Sequence, residues 1–184
     1  MPAAKTAGFV FYDNVIFSRS FPVIKWIILN CLILLFVWET NNEIFLTSMQ
    51  QSFSITTASQ EALYDITNEV ANLVARSNVQ QGIVNVYVRG ATAAIMIQEN
   101  WDESVQTDVI HLLQKLIPSG VWLHDAQDGN GDAHLKAGIV GPQETIPIIN
   151  GKIGLSSWQN IFLCEFDGPR QKREIVVSVL ATAG

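Results

Sequence analysis

The chain is short of cysteine, of positive charge and of histidine. Its two cysteines, Cys31 and Cys164, sit in unlike surroundings, one in an apolar run and one in an expected strand. Two such residues do not make a disulfide framework, which points to a reduced, intracellular type of domain with the cytoplasm as its expected location. Eleven Lys and Arg against seventeen Asp and Glu leave a formal net charge of −6. No basic face of the kind nucleic acid requires is present, so that partner class is set aside. Lys172-Arg173 beside Arg170 is the one basic knot and reads as a solvated strand entry. A Gly-rich phosphate loop is missing too, since Gly129-Asn130-Gly131 is too short and too acidic. There is no Ser-His-Asp or Cys-His motif context, no repeat and no low-complexity tract. At 184 residues the chain is long enough for one domain with a sizeable core.

Long apolar runs are also scarce, with one exception. Residues 21–38 form an apolar stretch of about 18 residues, near the lower limit for spanning a bilayer. Lys5 and Arg19 before it, Lys25 near its start, and Glu39 and Glu43 after it would keep the N-terminus inside. Three expectations compete: translation from Met49, a membrane anchor, and a signal peptide. The last lacks a clean small-residue cleavage site. A start at Met49 is preferred, because the domain that follows then has nothing hydrophobic left over. The chain divides accordingly into a hydrophobic N-terminal extension, 1–48, and a domain, 49–184. Contact with a membrane is expected only if residues 21–38 are made.

Beyond Met49 the pattern is mixed. Polar and apolar residues alternate over 50–57, which reads as a strand. Ser59 is expected to cap a helix whose apolar residues Leu63, Ile66, Val70, Leu73 and Val74 recur at three and four. Residues 83–88 read as a strand, and extended structure resumes over 94–97. A second helix is expected over 103–116, with Val105, Val109, Leu112, Leu113 and Leu116 inward, and Pro118 stops it. Periodicity does not decide between helix and strand for 133–140. Strands are expected over 145–149, 152–155, 159–165 and 173–181, with Asn150-Gly151 as a hairpin turn. Two main helices and a strand-rich second half give the α+β class, with a sandwich-like sheet.

The chemistry the chain does hold is concentrated at 122–136, WLHDAQDGNGDAHLK. His124 and His134, two of three histidines, bracket a loop carrying Asp125, Asp128, Asn130 and Asp132, and Gly129 and Gly131 let it turn tightly. Imidazole beside carboxylate suits metal ligation or proton transfer, because the carboxylate fixes the ring tautomer and raises its basicity. His124, Asp128, Asp132 and His134 are therefore candidate ligands for a divalent metal, magnesium or zinc. His124 and His134 are equally candidates for acid–base catalysis. The alternative is a polar surface turn that caps its own backbone, since the spacing matches no standard zinc or calcium loop. Glu99 and Asn100 end an apolar strand; Glu99 either holds a metal or a proton in a cleft, or caps the next helix with Asp102 and Glu103. Lys136 and Arg89 are candidate anion binders for a small phosphorylated molecule. Trp158 can stack on a planar ring while Gln159 reads its edge, although a tryptophan is more often core. A buried Gln159 amide would need partners.

Several blocks together resemble the YjbQ family, also described as secondary thiamine-phosphate synthase. The family's HTSA-like strand corresponds to Ala91-Thr92-Ala93-Ala94 and its NEN-like turn to Gln98-Glu99-Asn100. Its isolated histidine matches His124, its Asn/Asp-rich loop residues 128–132, its AH(I/L)KA segment residues 133–137, and its G(T/S)WQ strand Ser156-Ser157-Trp158-Gln159. The likeness runs from about Met49 to the C-terminus. It departs at Ala91, where the family histidine is missing, and more mildly at Ser156-Ser157, while Arg89 alters the charge nearby. The resemblance implies a YjbQ-like α+β fold, a homotrimer, and the joining of a pyrimidine methyl diphosphate to a thiazole phosphate. On that footing Asp128 and Asp132 would serve a metal, Lys136 the diphosphate, and Trp158 the developing pyrimidine cation. His124, His134 and Glu99 would be catalytic, with Arg89, Asn100, Asn130 and Gln159 in contact with substrate. Two other expectations use the same pocket: a metal-dependent hydrolase with an activated water, and a non-catalytic small-molecule binding or assembly module.

Overall fold

The computed structural model describes residues 48–182. The apolar run 21–38 and the expectations attached to it lie outside the described residues. No helix among the described residues is long and apolar enough to cross a membrane.

Eight strands form two antiparallel sheets. In chain order they are β1 (Ser48–Thr57), β2 (Ala62–Asp65), β3 (Gln81–Arg89), β4 (Ala93–Glu99), β5 (Gln143–Ile149), β6 (Lys152–Ile153), β7 (Gln159–Glu165) and β8 (Arg170–Ala181). The five-stranded sheet has the order β1-β8-β3-β5-β6 and the three-stranded sheet the order β2-β7-β4. Alternation decides which face is buried: Val84, Val86 and Val88 of β3 and Ile175, Val177 and Val179 of β8 point inward. There they meet Ile95 of β4, Ile161 and Leu163 of β7, and Val70, Leu73 and Val74 of helix α1 (Thr67–Ser77). A second, smaller core lies on the other face of the three-stranded sheet. It joins Ala94, Cys164 and Phe166 to Leu113 of α2 (Glu103–Leu116) and to Ala133 and Ala137 of α3 (Gly131–Val140). The fold is α+β, a sandwich of two sheets with helices, as expected. The β5–β6 turn falls at Asn150-Gly151, whose φ values of 51° and 74° suit that hairpin.

Three expectations are corrected. Residues 62–65 do not begin a helix: Leu63 pairs with Cys164 in the ladder between β2 and β7, and α1 starts only at Thr67, whose N–H donates to Asp65 Oδ1 at 2.9 Å. Ser59 donates its N–H to the Tyr64 hydroxyl instead of capping a helix. A free sheet edge claimed apolar residues whose spacing also suits a helix. On α2, Leu112 and Leu116 are exposed and the buried stripe runs through Leu113 to Ile117. Val109 and Leu113 meet the sheet as expected, joined there by Ile110. Arg173, read as part of a solvated strand entry, is buried. Residues 131–140, open between helix and strand, are helical.

Candidate functional site

Asp125 organises the polar loop. Its Oδ2 accepts from the Trp122 N–H and its Oδ1 from the Gly131 N–H, both at 2.8 Å, which closes a 3-10 turn (Leu123–Ala126) onto the first turn of α3. The Trp122 amide hydrogen bond, aided by the Gly131 amide, holds the Asp125 carboxyl below its usual range against the opposing effect of desolvation. The closure brings His124 against His134, edge to face, with ring centroids 4.9 Å apart at 89°. His124 Nε2 is buried without a hydrogen-bond partner, because Asp128 Oδ2 stands 3.8 Å away, beyond hydrogen-bond reach.

Asn130 and the start of β8 bound the same region. Asn130 Nδ2 donates to Asp167 Oδ2 at 3.1 Å, and the Arg170 guanidinium pairs with that carboxylate. No local pattern in the sequence singles out Asp167, and Arg170 is expected there only as part of the basic knot beside Lys172-Arg173. A charged residue closing the apolar strand IFLCE was the available signal, since a buried carboxylate demands partners. Glu165 finds them in Thr57, Arg173 and the Asp167 N–H.

Lys136 and Asp132 turn away from the histidines. The Lys136 Nζ lies 2.7 Å from Asp132 Oδ2 and 2.6 Å from Glu61 Oε1, with the lysine side chain fully buried. Burial by itself lowers the Lys136 ammonium, but the hydrogen bonds to Asp132 and Glu61 outweigh it and hold the group above its usual value. These three residues, with Gln60, Gln114 and Ser119, line a cleft of about 520 Å³. Arg89 is likewise committed, to Glu174 at 3.0 Å. Neither expected anion binder is a free cation.

The metal set does not assemble. Among the described residues no group of three or more His, Cys, Asp or Glu side chains stands close enough to hold one ion. Asp132 belongs to Lys136, and the histidine pair keeps only the distant Asp128.

The other candidates lie elsewhere. The β4–β7 register pairs Ala93 with Glu165 at one end and Glu99 with Gln159 at the other. Six strand steps of about 3.3 Å separate these ends, roughly 20 Å. His124, Asn130 and His134 belong to the first end through the Asn130–Asp167 contact. Glu99, Asn100, Trp158 and Gln159 belong to the second. Glu99 does not cap α2, a role taken by Asp102, whose Oδ1 accepts from the Ser104 N–H at 2.8 Å. Trp158 is not core: it is half exposed and stands edge to face with Trp101. Gln159 is exposed, and its Oε1 accepts from the Ser156 N–H at 3.0 Å. Asn100 Nδ2 donates to Asn160 Oδ1 at 2.6 Å.

Comparison with known proteins decides the family. The family described as "UPF0047 protein YjbQ-like" matches residues 51–182. The chain belongs to the YjbQ family. It is 44% identical over 128 residues to the "UPF0047 protein MJ1081" of Methanocaldococcus jannaschii, covering 70% of this chain and 91% of that one. It is 33% identical over 127 residues to the "UPF0047 protein YugU" of Bacillus subtilis, covering 67% and 94%. Among solved structures, a YbjQ-like protein of unknown function from Sulfolobus solfataricus P2 superposes with a TM-score of 0.72 at 35% identity, over 74% of this chain and 99% of that one. The described residues share the α+β fold of the YjbQ family.

Proposed function

We propose that this YjbQ-family chain is a transferase acting on small phosphorylated substrates in the cytoplasm, of the thiamine-phosphate-synthase type that the family resemblance implies. One observation carries the reading: two imidazoles held edge to face at 4.9 Å, one with a buried nitrogen that has no partner in the chain. Such a nitrogen is placed to give or take a proton at a reacting group. In the reaction the thiazole nitrogen attacks the pyrimidine methylene carbon, the carbon–oxygen bond breaks and pyrophosphate leaves. The His124–His134 pair would deliver a proton or hydrogen bond to the departing oxygen. Arg170, tied through Asp167 to Asn130 of the histidine loop, would stand in for Lys136 and Arg89 as the cation beside it. Self-association as a homotrimer is part of the proposal. Incubation with the pyrimidine methyl diphosphate and thiazole phosphate tests it: product should form with the native chain and fall to background with His134→Ala. Equal rates in the two would sink it.

A second reading has its own support. The two cations expected to hold phosphate are both neutralised by carboxylates, which suits a non-catalytic small-molecule binding module. In that case a small-molecule ligand raises the melting temperature without turnover.

A further inference from the structure

Three buried side-chain atoms among the described residues have no hydrogen-bond partner: Glu99 Oε2, His124 Nε2 and Asn130 Oδ1. Leaving such atoms unsatisfied is costly, and native proteins nearly always supply a partner. The three do not lie together. Glu99 closes β4 opposite Gln159, whereas His124 and Asn130 belong to the loop tied to Asp167, beyond the other end of β7. Roughly 20 Å of strand keeps them from meeting within one chain. Their chemistry is complementary, because a carboxylate accepts what an imidazole N–H donates.

The exposed apolar surface divides in the same way. At the Glu99 end Trp101 and Trp158 stand with ring centroids 4.8 Å apart and are 71% and 52% exposed. At the His124 end Val121 and Leu123 are 66% and 98% exposed. Exposed apolar groups rimmed by polar ones mark interaction surfaces. Two unlike patches at opposite ends of a subunit suit a head-to-tail contact, which closes into a ring when the rotation allows.

We propose that the functional site is composite. The Glu99, Trp101 and Trp158 end of one subunit docks on the His124–Asn130 loop of a second copy, and the Glu99 carboxylate accepts a hydrogen bond from that copy's His124 imidazole. Glu99 is half-buried and the His124 side chain is 41% exposed, so a turn of either planar group presents the hidden atom to the neighbour. The inference rests on the self-association proposed above and goes beyond it: it names the surfaces that meet, and it leaves neither subunit with a whole site.

Leu123→Asp and Trp158→Asp, made in the full chain, each spoil one of the two surfaces. Both positions are exposed, and circular dichroism checks that each variant folds. Light scattering should give an oligomer for the native chain and a monomer for each variant alone. An equimolar mixture should give a species of twice the monomer mass, since each variant carries the surface the other has lost. A monomeric native chain removes the self-association and the composite site together. A native oligomer whose variants keep full mass leaves self-association standing and overturns only the composite site. Monomeric variants whose mixture stays monomeric overturn the head-to-tail arrangement.

Discussion

Glu165 and Arg173 meet inside the domain as a two-point ion pair, with Nη2 2.5 Å from Oε1 and Nε 2.7 Å from Oε2. Arg173 Nη2 also reaches Thr92 Oγ1 at 2.9 Å, and Thr57 Oγ1 donates to Glu165 Oε2 at 2.9 Å. One guanidinium thus ties β8 to β7 and to the turn that precedes β4. The Asp167 N–H donates to Glu165 Oε1 at 3.0 Å, which links this pair to the Asn130 contact and to the histidine loop.

Breaking the pair strands a charge in the interior. Arg173→Met should therefore destabilise the domain by about 3–5 kcal/mol in urea denaturation, most of it the cost of an unpaired buried Glu165. Replacing both residues, as Arg173→Met with Glu165→Leu, should recover much of that loss. A double variant as unstable as the single one would show that the pair contributes more than mutual neutralisation.

Lys136 sets a pH limit. Its ammonium is held above the ordinary lysine value in the folded chain, so its stabilisation is fully present below about pH 10.4 and is lost as pH rises through the raised value. Lys136→Met removes the effect and leaves Glu61 and Asp132 facing each other, at a cost of about 3 kcal/mol near neutral pH. The gap between native and variant melting temperatures should narrow above about pH 10.4. A gap that stays constant to pH 11.5 would contradict the assignment of the triad.

Cys164 is fully buried on β7, and burial pushes its thiol up to about 12. Thiolate is the reactive form, so a disulfide reagent at pH 8 should leave Cys164 unmodified in the folded protein. In urea the same residue should react within the ordinary time of a free thiol. Rapid modification of Cys164 in the native state, located by peptide mass, would show that the second core opens easily.

Much of this was legible in the sequence, and the exceptions share a cause. The strands over β3, β5, β7 and β8 and the Asn150-Gly151 turn follow from local alternation and turn chemistry. The histidine loop was found by its composition, and the family by its ordered motifs. Leu63 was misplaced because the helical period it fits is also met by a short strand when β7 offers a free edge. Leu112 and Leu116 were misplaced because a helix on a three-stranded sheet needs a narrower stripe than five apolar residues supply. Lys136 and Glu61 lie 75 residues apart, and no local pattern announces such a pairing. The split between Glu99 and His124 likewise depends on strand register, which order along the chain does not reveal.

Gly131 is where loop and helix press closest. A Cβ there would lie 2.8 Å from Asp125 Oδ1 and 2.8 Å from the Trp122 Cβ, with the His124 Cβ at 3.4 Å. Its backbone needs no left-handed conformation, so Gly131→Ala acts through contact alone. Trp122 Cβ is attached directly to the backbone and cannot swing aside, so the 3-10 turn must move off α3. Overpacking of this kind costs about 1–3 kcal/mol. The displacement carries His124 with it, and the edge-to-face contact with His134 loosens. In the native chain each imidazole ring lies in the ring-current field of the other, so their proton resonances should shift toward ordinary values in Gly131→Ala. His111, on α2 and outside the pair, serves as the internal reference. Unchanged His124 and His134 resonances in a folded Gly131→Ala protein would mean that the pair does not depend on this closure, and the Asp125-built loop would lose its place in the site.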